Sequence, residues 1–104
     1  MIIKSVLTII DLNKLIKEVI MLKVYAAKWC PHCTQTVEYL KTNNIDFEYI
    51  EIEEQSEKII QKIIEINGGD DWVVPTLEFN GTWREGKIFN EKELGSDLEK
   101  LGLK

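Results

Sequence analysis

The strongest constraint on the fold of this chain is the alternation of strand-like and helix-like patterns along it. An apolar, β-branched run at residues 21–27 leads directly into a helical pattern that extends from Pro31 to Asn44. Alternating apolar residues at 45–52 predict a second strand, and the isoleucines that follow share one face of a second helix, which ends at Gly68. These segments predict the order β-α-β-α.

A hairpin and a final helix complete the predicted order of elements. Strand-like segments at 75–79 and 82–89 flank the Asn80-Gly81 dipeptide, which favours a tight turn. Asn90, with an acidic residue three positions later, predicts the N-cap of the last helix. The full order β-α-β-α-β-β-α predicts an α/β domain in which a mixed four-stranded sheet is flanked by helices.

The length of the chain predicts a single domain over residues 1–104, because 104 residues can bury one core but not two. We expect the core at residues 21–103. Residues 1–20 form an N-terminal extension that is compatible with a strand and a helix capped by Asp11, with a single amphipathic helix, or with a leader packed loosely ahead of the core. The sequence leaves these three interpretations open.

The charge balance restricts the partners of the protein. Its 13 basic and 18 acidic residues give a net charge of -5, which disfavours nucleic acid and anionic membranes and favours a protein or a small molecule. No apolar run approaches the roughly 18 residues of a membrane span, and no small-residue cleavage site follows the apolar N-terminus. We therefore expect a cytoplasmic protein that binds neither membrane nor nucleic acid, and we expect it to be a monomer.

The stretch "KWCPHC" at residues 28–33 contains both cysteines and the only histidine. Such a pair can bind a metal, form a structural disulfide, or exchange electrons with another disulfide. One close pair is poorly suited to a structural role, since small disulfide-stabilised domains usually carry about four or more dispersed cysteines. A closed zinc site needs four ligands, and this motif offers at most three, with His32 badly placed between Cys30 and Cys33. Electron exchange is therefore favoured, and we assign no metal ligand.

The position of Cys30 favours its thiolate form. Cys30 lies immediately before the helix that Pro31 begins, where unpaired backbone N–H groups and the helix dipole stabilise negative charge. Cys33 lies one helical turn further on, where it is more buried and within reach of Cys30. We predict that Cys30 attacks a disulfide and that Cys33 resolves the product. The residues expected to tune the reactivity of the nucleophile are Pro31, His32 and Lys28.

The run "CPHC" at residues 30–33 after a strand, together with "VVPT" at residues 73–76, resembles the glutaredoxin and thioredoxin superfamily. The resemblance covers residues 21–103 and implies a thioredoxin-like fold. It also implies that the Val74-Pro75 peptide bond is cis and that the backbone of Val74 pairs with an extended substrate. The groove expected to bind substrate is lined by Trp29, His32, Trp72, Val73, Val74, Pro75 and Thr76.

Three departures from the family pattern bear on the source of electrons. Glutaredoxins generally carry a Gly-Gly pair and an Asp after the hairpin, where they hold the glutathione carboxylate, but "REGKIFNEKEL" retains only Gly86. The usual carboxylate site for glutathione is therefore not evident. The buried Asp that assists the second cysteine of thioredoxins is replaced by Val24. The Pro-His dipeptide resembles that of periplasmic disulfide oxidases, whereas the lack of an export signal favours a cytoplasmic reductant.

The resemblance implies a protein-disulfide oxidoreductase that works through the dithiol of Cys30 and Cys33 in cellular redox homeostasis and electron transport. We expect no cofactor beyond the disulfide that Cys30 and Cys33 form, and we leave glutathione open as an alternative although its usual carboxylate site is not evident. Its partners would be disulfide-containing client proteins and an electron donor, either a thiol or a thioredoxin-reductase-type enzyme. The alternative is a glutaredoxin-like module that binds a metal or an iron-sulfur cluster, which predicts a coloured or metal-containing protein.

Overall fold

A four-stranded mixed sheet forms the centre of the structure, a computed structural model that describes residues 21–103. The strands are β1 (Leu22–Ala26), β2 (Phe47–Glu51), β3 (Thr76–Phe79) and β4 (Thr82–Arg84). The helices are α1 (Pro31–Thr42), α2 (Glu57–Ile66) and α3 (Glu91–Leu101), with a short 3-10 helix at Ile52–Glu54. The predicted order β-α-β-α-β-β-α is confirmed, and the interpretations of residues 1–20 lie outside the described residues.

The pairing of the strands also agrees with the prediction of a mixed sheet. The order across the sheet is β2-β1-β3-β4. Strand β1 is parallel to β2 and antiparallel to β3, and β3 is antiparallel to β4. The parallel pair is joined by a crossover through α1, and the antiparallel pair β3 and β4 is joined by a hairpin.

Strand β1 is the most buried strand, as its apolar sequence predicts. Leu22, Val24 and Ala26 have no exposed surface, because side chains from the neighbouring strands and helices enclose them. The parallel register with β2 pairs Ala26 with Glu51, so the two strands end at the same edge of the sheet. Cys30 follows β1 at that edge.

The ends of the first two helices have local causes in the sequence. Helix α1 has Pro31 at its first position and Cys30 as its N-cap. Helix α2 is capped by Ser56, whose hydroxyl oxygen accepts the Ile59 N–H at 3.4 Å. After α2 the chain turns through Gly68, which has a φ of 101° that other residues rarely adopt. The predicted end of this helix is therefore confirmed.

The turn predicted at Asn80-Gly81 and the N-cap predicted at Asn90 are both confirmed by the structure. Asn80 and Gly81 have φ values of 50° and 84°, as a tight hairpin turn requires. The side-chain oxygen of Asn90 accepts the Glu93 N–H at 2.9 Å and caps α3. No helix in the part of the chain that the structure describes is both long and apolar enough to cross a membrane.

Strand β4 is shorter than the sequence predicts. It ends at Arg84, so the strand predicted over residues 82–89 is wrong beyond that point. The register pairs Leu77 with Arg84, and its continuation would place residue 86 opposite Pro75. Because proline has no N–H to donate, the ladder of hydrogen bonds cannot continue there. The chain instead leaves the sheet after β4.

A buried ion pair joins β4 to α3. Arg84 Nε donates to Asp97 Oδ2 at 2.9 Å, and Lys87 Nζ donates to the same oxygen at 3.1 Å. Burial acts to raise the pKa of Asp97, but the hydrogen bonds from Arg84 and Lys87 outweigh it and hold this pKa below its ordinary value. The ion pair therefore fixes the segment after β4 against the last helix.

Candidate active site

Cys30 occupies the N-cap position of α1, beside the end of β1. Its sulfur accepts the Cys33 N–H at 3.4 Å and lies 3.9 Å from the backbone oxygen of Val74. The residue is 5% exposed, and both cysteines are free thiols. A helix N–H group that points at a sulfur stabilises negative charge on it. The predicted placement of Cys30 at the start of the helix is therefore confirmed.

Cys33 lies in the first turn of α1 and is 1% exposed. Burial, followed by its hydrogen bond with Cys30 and by the nearby charges of Cys30 and Glu51, raises the pKa of this thiol to about 12. At pH 7 such a pKa leaves on the order of one Cys33 in 10⁵ as thiolate. The two cysteines therefore differ in kind, since the Cys30 sulfur accepts a helix N–H whereas the Cys33 sulfur stays a neutral thiol.

The segment before β3 lies directly against Cys30. The Val74-Pro75 peptide bond is cis, as the resemblance implies, and the Val74 carbonyl oxygen is the atom beside the Cys30 sulfur. Val73 is exposed and Val74 is partly buried. Pro75 and Thr76 are buried. Of the four residues in this segment that the sequence predicts to line the groove, Val73 and Val74 therefore present the accessible surface.

Asn67 connects this segment to two other parts of the chain, and sequence analysis did not single it out. Its Nδ2 donates to Thr76 Oγ1 at 3.0 Å, and its Oδ1 accepts the Gly86 N–H at 2.7 Å. The Thr76 hydroxyl in turn donates to the Val73 carbonyl at 2.6 Å. In the sequence, an Asn before two glycines indicates only the end of a helix, so the pattern carries no signal for this second role.

Gly86 approaches Val73 so closely that no side chain would fit between them. A Cβ atom on Gly86 would lie 3.0 Å from the backbone carbonyl carbon of Val73 and closer still to its side chain. This glycine, all that remains of the Gly-Gly pattern of glutaredoxins, therefore has a packing role beneath Val73.

An apolar surface beside the cysteine motif consists of the exposed Trp29 and Val73 and the partly buried Trp72. Trp29 is 63% exposed, and its Nε1–H donates to Glu53 Oε1 at 2.7 Å. The ring centroids of Trp29 and Trp72 are 6.5 Å apart, with the ring planes at 51°. We call this surface the aromatic rim, and it consists of Trp29, Trp72 and Val73.

His32 connects the first turn of α1 to the segment after β4. Its Nδ1 accepts the Phe89 N–H at 3.2 Å, and the residue is partly buried. Lys28 and Pro31, the other residues expected to tune Cys30, are both exposed.

Glu51 is a second residue of the site that the sequence did not reveal. Its Oε1 accepts the Lys28 N–H at 3.2 Å and the Tyr49 hydroxyl at 3.1 Å. Its Oε2 is buried and has no hydrogen-bond partner among the described residues. The charge of Glu51 also acts on Cys33, where it contributes to the raised pKa. Glu51 therefore combines a charge that acts on the second cysteine with a buried carboxylate oxygen that has no hydrogen-bond partner among the described residues.

Comparison with known proteins places the fold and the cysteine motif in one class. The glutaredoxin family model matches residues 22–83. A glutaredoxin-like 8.6 kDa protein in the rubredoxin operon of Clostridium pasteurianum is 32% identical over 81 residues, which are 77% of this chain and all of that protein.

Solved structures support the same class. The glutaredoxin from Archaeoglobus fulgidus is 32% identical with a TM-score of 0.58, over 72% of this chain and 82% of that one. Methanoredoxin from Methanosarcina acetivorans is 25% identical with a TM-score of 0.57, over 79% and 84% of the two chains. The fold is thioredoxin-like, and the site has the CxxC motif of thiol-disulfide oxidoreductases. The chain belongs to the glutaredoxin family.

Proposed function

We propose that the protein reduces disulfide bonds of client proteins by a dithiol mechanism in which Cys30 attacks and Cys33 resolves. The observation that carries this proposal is the difference between the two thiols. The Cys30 sulfur accepts a helix N–H group, whereas Cys33 is buried and its pKa is raised to about 12. Two successive exchanges need such a pair, because the second thiol must stay unreactive until the first has formed a mixed disulfide.

The proposed exchange balances in two steps. In the first, the Cys30 thiolate attacks one sulfur of the client disulfide, a Cys30-client disulfide forms, and the other client sulfur leaves as a thiolate. In the second, Cys33 loses its proton and attacks the Cys30 sulfur, and the remaining client sulfur leaves. The client gains two electrons, and the protein retains a disulfide between Cys30 and Cys33.

The client would bind as an extended segment across the aromatic rim. The Val74 backbone lies beside the Cys30 sulfur, so a client strand that pairs with this backbone would bring its disulfide to that sulfur. The exposed ring of Trp29 offers a large apolar contact next to the same point. Both features support clients with apolar residues close to their cysteines.

The source of electrons is proposed to be a thiol or a thioredoxin-reductase-type enzyme in the cytoplasm, with the protein acting as a monomer. The segment after β4 supports a donor that does not depend on the usual glutathione site. Gly86 packs beneath Val73, and the Asn90 side chain is already engaged as the cap of α3.

Reduction of the insulin disulfides, with dithiothreitol as the electron source, tests this proposal. We expect Cys30→Ser to abolish turnover, and we expect Cys33→Ser to accumulate a mixed disulfide with the client that is visible by mass spectrometry. Full turnover by the Cys30→Ser variant would contradict the proposal. Full turnover by Cys33→Ser without a trapped intermediate would exclude the resolving role.

The same preparations separate this function from binding of a metal or a cluster. Among residues 21–103, no three His, Cys, Asp or Glu side chains are grouped in a way that could hold a metal ion. A cluster bridging two subunits would give visible absorbance that disappears in Cys30→Ser. The proposed reductase is colourless, and its activity is unchanged after treatment with a chelator.

A further inference from the structure

We propose that Glu51 is the proton acceptor for Cys33 when Cys33 attacks the mixed disulfide. This role rests on the dithiol mechanism proposed above and concerns its second step. The sequence offers no such group at the position where thioredoxins carry a buried Asp, since Val24 occupies it. Glu51 ends a different strand, opposite Ala26 at the edge of the sheet where the cysteine motif follows, and its charge acts on Cys33.

The second step requires a base because of where Cys33 lies. The thiol is 1% exposed, so its proton has little direct access to bulk water. A buried neutral thiol is a poor nucleophile, and the attack on Cys30 must be accompanied by loss of the proton. A positioned carboxylate that removes a proton in this way typically accelerates such a step by about 10² to 10⁴.

The surroundings of Glu51 leave one carboxylate oxygen available for this purpose. Oε1 accepts two hydrogen bonds, from the Lys28 N–H and from the Tyr49 hydroxyl. These two bonds orient the carboxylate, and they leave Oε2 buried with no partner among the described residues. An acceptor oxygen in such a position is costly unless a donor or a water reaches it during function.

Two surface cavities meet at Lys28 and Tyr49, which border both of them. Glu51 borders one cavity of about 550 Å³, and Cys33 borders the other, of about 330 Å³; each volume is ample for a water molecule. The Tyr49 ring is exposed and its hydroxyl contacts Glu51, so a proton that reaches the carboxylate can leave at the surface. The other charged side chains that border the two cavities are Lys23, Lys28, Glu38, Lys41, Glu48 and Glu54.

The Cys33 proton passes through one water to Glu51 Oε2 as the Cys33 sulfur forms its bond to the Cys30 sulfur. The bond between Cys30 and the client sulfur breaks, and the electron pair leaves with the client thiolate. The protonated Glu51 then returns its proton to solvent or to that thiolate.

A single-turnover reaction with one equivalent of dithiobis(nitrobenzoate) measures both steps in one trace. The first coloured thiolate is released when Cys30 attacks, and the second is released when Cys33 resolves. Because this aromatic thiolate leaves without a proton, the second phase reports the loss of the Cys33 proton. We expect Glu51→Gln to slow the second phase at least tenfold at pH 7 and to leave the first phase within about twofold of the wild type.

The pH dependence distinguishes a proton acceptor from a structural residue. In Glu51→Gln the second phase should accelerate about tenfold per pH unit between pH 7 and 9, as hydroxide replaces the missing base, whereas the wild type should change little. Glu51→Asp, which keeps a carboxylate, should retain the flat profile at a lower rate and remains informative if the Gln variant folds poorly. Glu48→Gln removes the same charge from an exposed position of β2 and should behave as the wild type.

Three outcomes would count against the proposal. A second phase in Glu51→Gln with the wild-type rate and pH profile would overturn the role of Glu51. So would a slowed second phase that increasing pH does not restore. If the wild type itself released only one coloured thiolate, the dithiol mechanism would be wrong, and the failure would belong to the proposed function.

Discussion

The side-chain oxygen of Asn67 lies 2.7 Å from the backbone nitrogen of Gly86, across 19 positions of the chain. The same side chain donates to Thr76, whose hydroxyl holds the Val73 carbonyl. One amide group therefore links the end of α2, the segment beside Cys30 and the loop after β4. Because these parts meet at a single residue, a change there should affect stability and the site together.

Replacement of Asn67 by Ala tests this link. The change leaves the Gly86 N–H without its acceptor and removes the donor to Thr76, so we expect a loss of about 1–3 kcal/mol in the free energy of unfolding. Urea denaturation provides the measurement. Asn43→Ala is the matched control, because Asn43 also follows a helix but makes an exposed side-chain bond only to Tyr39. Equal losses in the two variants would contradict the linking role.

Replacement of His32 separates its contact with Phe89 from an electrostatic effect on Cys30. His32→Ala removes the acceptor for the Phe89 N–H, and we expect a destabilisation of about 1 kcal/mol. His32→Asn offers an amide oxygen in place of Nδ1 and should retain much of that stability. Because Nδ1 of the ring is engaged with the Phe89 N–H and not with the Cys30 sulfur, the rate of Cys30 alkylation at pH 7 should change less than about threefold. A much slower alkylation in both variants would indicate that His32 does act on Cys30 through its charge.

The aromatic rim predicts a difference between protein and small-molecule substrates. Trp29→Ala removes a ring that is 63% exposed and beside Cys30, so we expect a KM for insulin that is about three- to tenfold higher, as the loss of one exposed aromatic contact predicts. The rate with a small aromatic disulfide should remain within about twofold, because that substrate does not span the rim. Trp29→Phe is the control, because it keeps an aromatic ring at the position, and its KM for insulin should stay closer to that of the wild type. Trp83→Ala is unsuitable as a control because Trp83 stacks on Tyr25 in the sheet.

The ion pair at Asp97 predicts how stability depends on pH. The pKa of Asp97 is lowered in the folded protein, so its contribution is complete above the ordinary carboxyl pKa of about 3.9 and is lost as pH falls through the lower folded value. Asp97→Asn should therefore cost about 2 kcal/mol or more near pH 7 and show a smaller loss of stability on acidification. Thermal unfolding between pH 2 and 7 measures both effects.

Glu93→Gln is the control for that experiment. Glu93 lies 4.0 Å from Arg84 and from Lys87, and its side chain is half exposed. An exposed pair at this distance contributes about 0–1 kcal/mol, so the variant should unfold almost as the wild type does. An equal effect of the two substitutions would show that the burial of Asp97 is not what strengthens its ion pair.

The parts of the fold that follow from local patterns were predictable. The buried run of β1, the Pro31 start of α1 and the Asn80-Gly81 turn each depend on residues adjacent in sequence, and each is confirmed. The end of β4 was not, because it depends on Pro75 lying across the hairpin, which only the register of the two strands reveals.

In the candidate site too, features that depend on adjacent residues were predictable and features that depend on distant partners were not. The cysteines and the segment beside them could be identified from a motif, because both belong to short runs of the sequence. The contacts that Glu51 and His32 make could not, since each side chain bonds to a residue outside its own element. Glu51 looks like one more acidic residue in an alternating strand, and only its pairing with Ala26 brings it to the cysteine edge.

The contact between Gly86 and Val73 determines where this scaffold can be altered. Residues 80 and 81 form the tip of a hairpin, are exposed, and have open space around Gly81, so a peptide tag or a reporter loop can be inserted there without disturbing the cysteines. The connection after β4, at residues 85–90, has no such freedom, because a side chain added at residue 86 would push on Val73, in the segment of backbone that lies beside Cys30. For protein engineering, the hairpin turn therefore accepts an insertion, whereas the nearby connection after β4 does not.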